Sequence, residues 1–135
     1  MDREPRAYVQ DIVEACDAVA FDIHEVPLAA YVANRQVRSA VEREFITIGE
    51  AVNVLGDLEP DLFARLTEAR KVVDFRNQLT HGYMTVNDKL VWAFAVRKAP
   101  QLRNECAALL AELDEAGADQ QGEREGGAEA PPAPA

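Results

Sequence analysis

Histidine and cysteine are scarce in this chain, with two of each among 135 residues. That scarcity excludes most metal-centre patterns. Neither Cys16 nor Cys106 has a second cysteine or a histidine at ligand spacing, and no His-Glu-x-x-His or Glu-x-x-His pattern surrounds His24 or His81. Each cysteine falls on an apolar stripe, so a buried free thiol is expected at both. No run of eighteen apolar residues occurs, which argues against a membrane-spanning helix. The opening MDREPRAYVQ has no apolar signal-peptide core, so a cytoplasmic protein is expected, in a compartment that disfavours disulfides. Strand-like alternation and internal repeats are also missing, and no cofactor is suggested.

What remains is helical periodicity. From Pro5 to His24, Val9, Ile12, Val13, Cys16, Val19, Ala20 and Ile23 recur at steps of three and four. His24 reads as a surface histidine among acidic neighbours. Val26-Pro27 breaks the pattern, because the residue before proline is pushed out of the helical region. Leu28 to Val32 makes a short turn that leads to a second long helix. That helix is predicted from about Asn34, its N-cap, to Leu55, on the stripe Val37, Val41, Phe45, Ile48, Val52, Leu55. Gly49 stands inside it, either because another backbone packs closely there or because it is merely tolerated. Gly56-Asp57 is expected to end it.

Pro60 then opens a short helix through Leu66, and Glu68 to His81 forms another. Asn87 or Thr85 caps a helix from Leu90 to Arg97, and Pro100 interrupts or restarts the last amphipathic stretch, which carries Leu102, Cys106, Leu109, Leu110 and Leu113. From Gly117 on, no apolar residue larger than alanine appears, so residues 117–135 are expected to form a disordered acidic tail. The reading is an all-α antiparallel bundle of four to five helices over residues 1–116.

Charge is distributed unevenly. The net charge is −10, yet residues 64–103 carry eight basic and three acidic groups. This is either an ordinary solvated surface or a basic face able to meet phosphate. Inside it lies Asp74 to Tyr83, DFRNQLTHGY. Arg76 and His81 are five residues apart, about 140° in azimuth and about 7.5 Å in rise on an ideal helix. They do not share a face unless the helix loosens at Gly82, expected as a left-handed C-terminal residue, or a second subunit contributes.

An Arg–His pair suits metal-free RNA phosphodiester cleavage by the neighbouring 2′-hydroxyl. Histidine moves protons near neutrality, and the arginine fork stabilises charge on phosphoryl oxygens. Asn77 lies one turn before His81 and could hold its ring or donate to the substrate. On spacing alone, a helix-end histidine interacting with the helix dipole explains the segment as well.

The whole pattern, Arg76-Asn77, three residues, His81-Gly82-Tyr83, resembles the Arg-x4-His-x-Tyr motif of the HepT-like proteins in the HEPN superfamily. Arg43 to Ala51 and Gly82 to Trp92 are similar to neighbouring parts of that family, and the resemblance covers roughly residues 5–113. It implies an α-helical, metal-independent endoribonuclease, the toxin of a toxin–antitoxin system. It further implies a homodimer whose two motifs face each other, with Arg76 and His81 catalytic and Asn77 supporting. The implied partner is an MntA-type nucleotidyltransferase antitoxin that attaches AMP to Tyr83, a residue that otherwise would simply pack over the helix end. The alternative is a non-catalytic helical binding partner of a nucleotidyltransferase. A harmless binder and a growth-arresting nuclease would be told apart by expression.

Overall fold

The computed structural model describes residues 3–82 and 86–128, with side chains as far as 118. Seven helices occur among the described residues: α1 (Pro5–Ile23), α2 (Leu28–Ala33), α3 (Arg35–Leu58), α4 (Pro60–Ala64), α5 (Ala69–His81), α6 (Asp88–Arg97) and α7 (Ala99–Ala128). No strand occurs among the described residues. The fold is all-α, with two short helices, α2 and α4, joining the long ones.

The apolar stripes become the core. On α3, Val41, Phe45, Ile48, Val52 and Leu55 are fully buried, and so are Val9, Ile12 and Val19 on α1. Each such side chain contributes about 1.5–3 kcal/mol of transfer free energy. α1 packs between α3 and α7, and α3 carries α5 on another side. Two ion pairs fix the direction of α7. Arg6 near the start of α1 meets Asp114, and Arg103 Nε reaches Asp17 Oδ1 at 3.0 Å further along, so α1 and α7 run antiparallel. Arg65 makes a two-pronged contact with Glu112 at 2.8 and 2.9 Å, and Thr67 bonds Glu105, which tie the α4–α5 connection to α7.

Cap chemistry places the helix starts. The Asn34 side chain accepts from Val37 N–H, and the Asn87 side chain accepts from Lys89 and Leu90 N–H. Asn87 is therefore the cap of α6, while Thr85 lies outside the described residues. The Trp92 indole donates to Val26 O at 2.9 Å, which pins α6 to the corner between α1 and α2.

Two expectations need correction. Gly56-Asp57 does not end α3, which continues to Leu58. Gly56 serves another purpose there, because a Cβ on it would come within 2.7 Å of the Phe63 ring. The missing side chain lets α4 fold back closely, and the stop comes from Pro60, which cannot continue the α3 ladder. Gly82 is not left-handed either. Its φ is −127°, and its N–H closes an ordinary helical bond to Gln78 O at 2.7 Å. The last buried side chain of α7 among those described is Leu109, so the stretch read as a tail from 117 lies beyond the core.

Candidate active site

Helix α5 carries the candidate site, and its sequence decides which face it buries. Ala69 and Val72 are buried, with Phe75 and Leu79 packed partly against the core. This row lies on α3. Phe75 and Phe45 join Phe94 in a three-ring cluster, with edge-on contacts at 4.8 Å (Phe75–Phe94) and 5.5 Å (Phe45–Phe94).

Arg76 sits at the closest point between the two helices. A Cβ placed on Gly49 would lie 2.3 Å from Arg76 Cβ, 2.9 Å from Arg76 Cγ and 2.9 Å from Val72 O. The backbones can approach this closely only because position 49 has no side chain. Of the two readings that the sequence left open for Gly49, close packing is the one realised.

That approach half-buries the arginine. Its Nη1 donates to Asn77 Oδ1 at 3.1 Å, and its Nε is buried with no hydrogen-bond acceptor among the described residues. Leaving such a donor unpaired costs about 1–3 kcal/mol. Asn77 thus directs its side-chain oxygen to the arginine. Thr80 Oγ1 donates back to Arg76 O at 2.9 Å, which satisfies that hydroxyl along the same helix.

His81 is the last residue of α5 and is exposed. Because the helix stays regular through it, the separation of about 140° between Arg76 and His81 is retained. Within one chain, Arg76 points into the seam with α3 while His81 stands free at the helix end. Tyr83 lies outside the described residues.

The basic segment proves narrower than its residue count. Lys98 pairs with Glu68, Arg65 with Glu112 and Arg103 with Asp17. Arg70, Lys71, Lys89 and Arg97 are exposed and have no ion pair among the described residues. These partnerships come from residues far away in sequence, so no local pattern could have revealed them.

Among the described residues, no group of three or more His, Cys, Asp or Glu is placed to hold a metal ion. No helix among them is long and apolar enough to cross a membrane. Both cysteines are buried and free, and burial pushes each thiol up to about 12.

Comparison with known proteins bears on the same helices. Residues 8–109, which contain α1 almost whole and everything through Leu109, match the family described as Ribonuclease HepT-like. A Methanocaldococcus jannaschii protein named "Putative RNase MJ1380" is 25% identical over 103 residues, 76% of this chain and 94% of that protein. One from Caldanaerobacter subterraneus named "Putative RNase TTE0752" is 22% identical over 108 residues, 80% and 96% of the two chains. A Thermococcus cleftensis protein named "Probable ribonuclease HepT" is 26% identical over 106 residues, 76% and 93%. No solved structure matches. With three quarters of its length inside the family pattern, this chain belongs to the HepT-like ribonuclease family.

Proposed function

We propose that this protein is a metal-independent endoribonuclease and the toxin of a toxin–antitoxin pair. The observation that carries the reading is Arg76. Its Nε is a buried donor without an acceptor among the described residues, on the helix that ends in His81. A guanidinium held in that state is prepared for an anion, and a phosphodiester oxygen supplies one. His81, exposed at the helix end, takes or gives the proton at the 2′-hydroxyl or the leaving oxygen. Asn77 sets the arginine by accepting from Nη1.

The divergence of Arg76 and His81 on a regular helix supports a homodimer. Two copies of α5 facing each other across a two-fold axis let the arginine of one subunit work with the histidine of the other. Control at Tyr83 by a nucleotidyltransferase partner follows from the family resemblance. An AMP on that tyrosine, two residues beyond His81, adds phosphate and bulk beside the ring.

The test is RNA cleavage by the purified protein and by His81→Ala, each with chelator present and with Tyr83 verified as unmodified by mass spectrometry. Cleavage that persists in chelator and vanishes with His81 supports the reading. Equal cleavage by both proteins, or by neither, removes it. Co-expression with a nucleotidyltransferase encoded beside the gene should add AMP to the Tyr83 peptide. AMP found on other residues, or on none, removes that part alone.

A further inference from the structure

Helix α5 has a second long face that the core does not use. Lys71, Asp74 and Gln78 lie along it, and Asp74 and His81 are seven residues apart, which on a helix leaves them about 20° from alignment. The row therefore runs straight to His81, over a rise of about 15 Å from Lys71. Beside it stands α6, and between the two helices is an open groove of about 400 Å³. Phe75, Ala93 and Phe94 form its floor, with Lys71 and Arg97 at its rim. Phe94 is almost fully buried, so Phe75 and Leu90, the latter 55% exposed, supply most of the apolar surface.

We infer that this groove holds single-stranded RNA, with bases against Phe75 and Leu90 and phosphates at Lys71 and Arg97, and feeds the strand to His81. The inference rests on the nuclease reading of α5 and adds the surface that positions the substrate. Three observations carry it. The groove joins apolar floor and basic rim, the pairing that single strands require because they offer both base faces and phosphates. Its cations are the unspent ones: Lys71 and Arg97 are exposed and unpaired among the described residues, whereas Lys98, also on the rim, is 3.4 Å from Glu68. And the groove shares its α5 face with His81.

Charge selects the occupant. Two copies joined groove to groove would set Lys71 and Arg97 against their own counterparts, and like charges disfavour that union. The homodimer proposed above would use the other flank of α5, on the Asn77 side of His81. A duplex keeps its base faces stacked away from the apolar floor. Asp74 lines the groove as well and leaves its charge modest, which suits a passing strand rather than a fixed anion.

The experiment uses the full chain in a His81→Ala background, so that RNA survives the measurement. A fluorescein-labelled oligouridylate is titrated by fluorescence anisotropy at several salt concentrations, beside an RNA duplex of equal length. The single strand should bind more tightly than the duplex. Lys71→Glu with Arg97→Glu should weaken it by about ten-fold or more. The neutral pair Lys71→Gln with Arg97→Gln should lower the salt slope by about 0.7 for each phosphate that is no longer neutralised. Circular dichroism verifies that the substitutions, both at exposed positions, leave the helices intact.

Binding indifferent to these changes overturns the inference. So does a fall from dimer to monomer in sedimentation when Lys71 and Arg97 are substituted, which would assign the groove to a second copy. The nuclease reading is separable. If the unsubstituted protein binds through the groove but cuts nothing, that reading fails and the groove stands. If cleavage depends on His81 while binding ignores Lys71 and Arg97, the groove inference fails alone.

Discussion

The Cβ and Cγ of Arg76 occupy the space that a side chain on Gly49 would fill, with only 2.3 Å between the nearest positions. Neither Arg76 Cβ nor the Val72 carbonyl is a flexible end that can swing aside. Gly49→Ala must therefore move α5 itself. Overpacking of this kind costs about 1–3 kcal/mol, against a helix-propensity gain of about 1 kcal/mol for alanine. We expect a lower Tm and a larger proportional loss of RNA cleavage, since the guanidinium moves with the helix. Gly56→Ala is the comparison. Its obstacle is the Phe63 ring at 2.7 Å, and Phe63 is only half-buried, so the ring can yield and stability should change little. Equal Tm and activity in wild type and Gly49→Ala would refute the close approach.

His81→Ala should reduce cleavage by about 10²–10⁴-fold, the range of a lost general acid–base group, and Arg76→Ala by about 10²–10³-fold, the range of a lost charge-stabilising donor. Mixing the two inactive proteins after co-refolding tests whether the site is shared. In a site built from the arginine of one subunit and the histidine of its partner, each mixed dimer regains one intact pair. Recovered cleavage is expected. A mixture as inactive as its parents would place both groups in a single chain.

Burial raises the Glu42 carboxyl above the ordinary carboxylate range, with Asp88 adding to the effect and Arg38 opposing it. A carboxyl whose pKa is higher in the folded state binds its proton first in that state. Its charge therefore opposes folding above the folded pKa, and stability is regained as pH falls through that value. Glu42→Gln should raise Tm slightly at neutral pH, and the advantage should shrink on acidification. Calorimetry across the carboxylate range measures this. A lower Tm at neutral pH, or a difference independent of pH, contradicts it.

Cys16 and Cys106 should resist iodoacetamide at mildly alkaline pH in the native protein and react fully in denaturant. Their burial keeps them as thiols, and the thiolate is the reactive form. Mass spectrometry of the native protein counts the adducts. Rapid native labelling at either position would show that α1 and α7 separate readily.

Much of the architecture was legible because its signals are local. The stripe from Val41 to Leu55, the caps at Asn34 and Asn87 and the proline at the head of α4 each announce an element through neighbours in sequence. Gly56 misled because glycine marks helix ends when its conformational freedom is used, and here only its small size is used. Gly82 misled for a related reason, since its φ of −127° is open to any residue.

The site was half legible. Arg76, Asn77 and His81 stand out as residues, but the arginine's Nε, unpaired among the described residues, and the glycine beneath it depend on where α3 passes. The groove between α5 and α6 left one trace, Leu90 at an exposed position of an apolar run. The partners that neutralise Arg65, Lys98 and Arg103 left none.

Helix α5 contributes only Ala69 and Val72 to the buried interior, whereas α1 and α3 contribute seven residues each. Most of the buried core and the proposed catalytic residues thus sit on different helices. Substitutions that disarm α5 on its outer face will leave the protein folded and abundant. If the activity harms the cell that makes it, escape by mutation should yield inert but intact copies, still able to pair with active ones. Among survivors of expression that still accumulate folded protein, substitutions should accordingly cluster on α5 and spare α1.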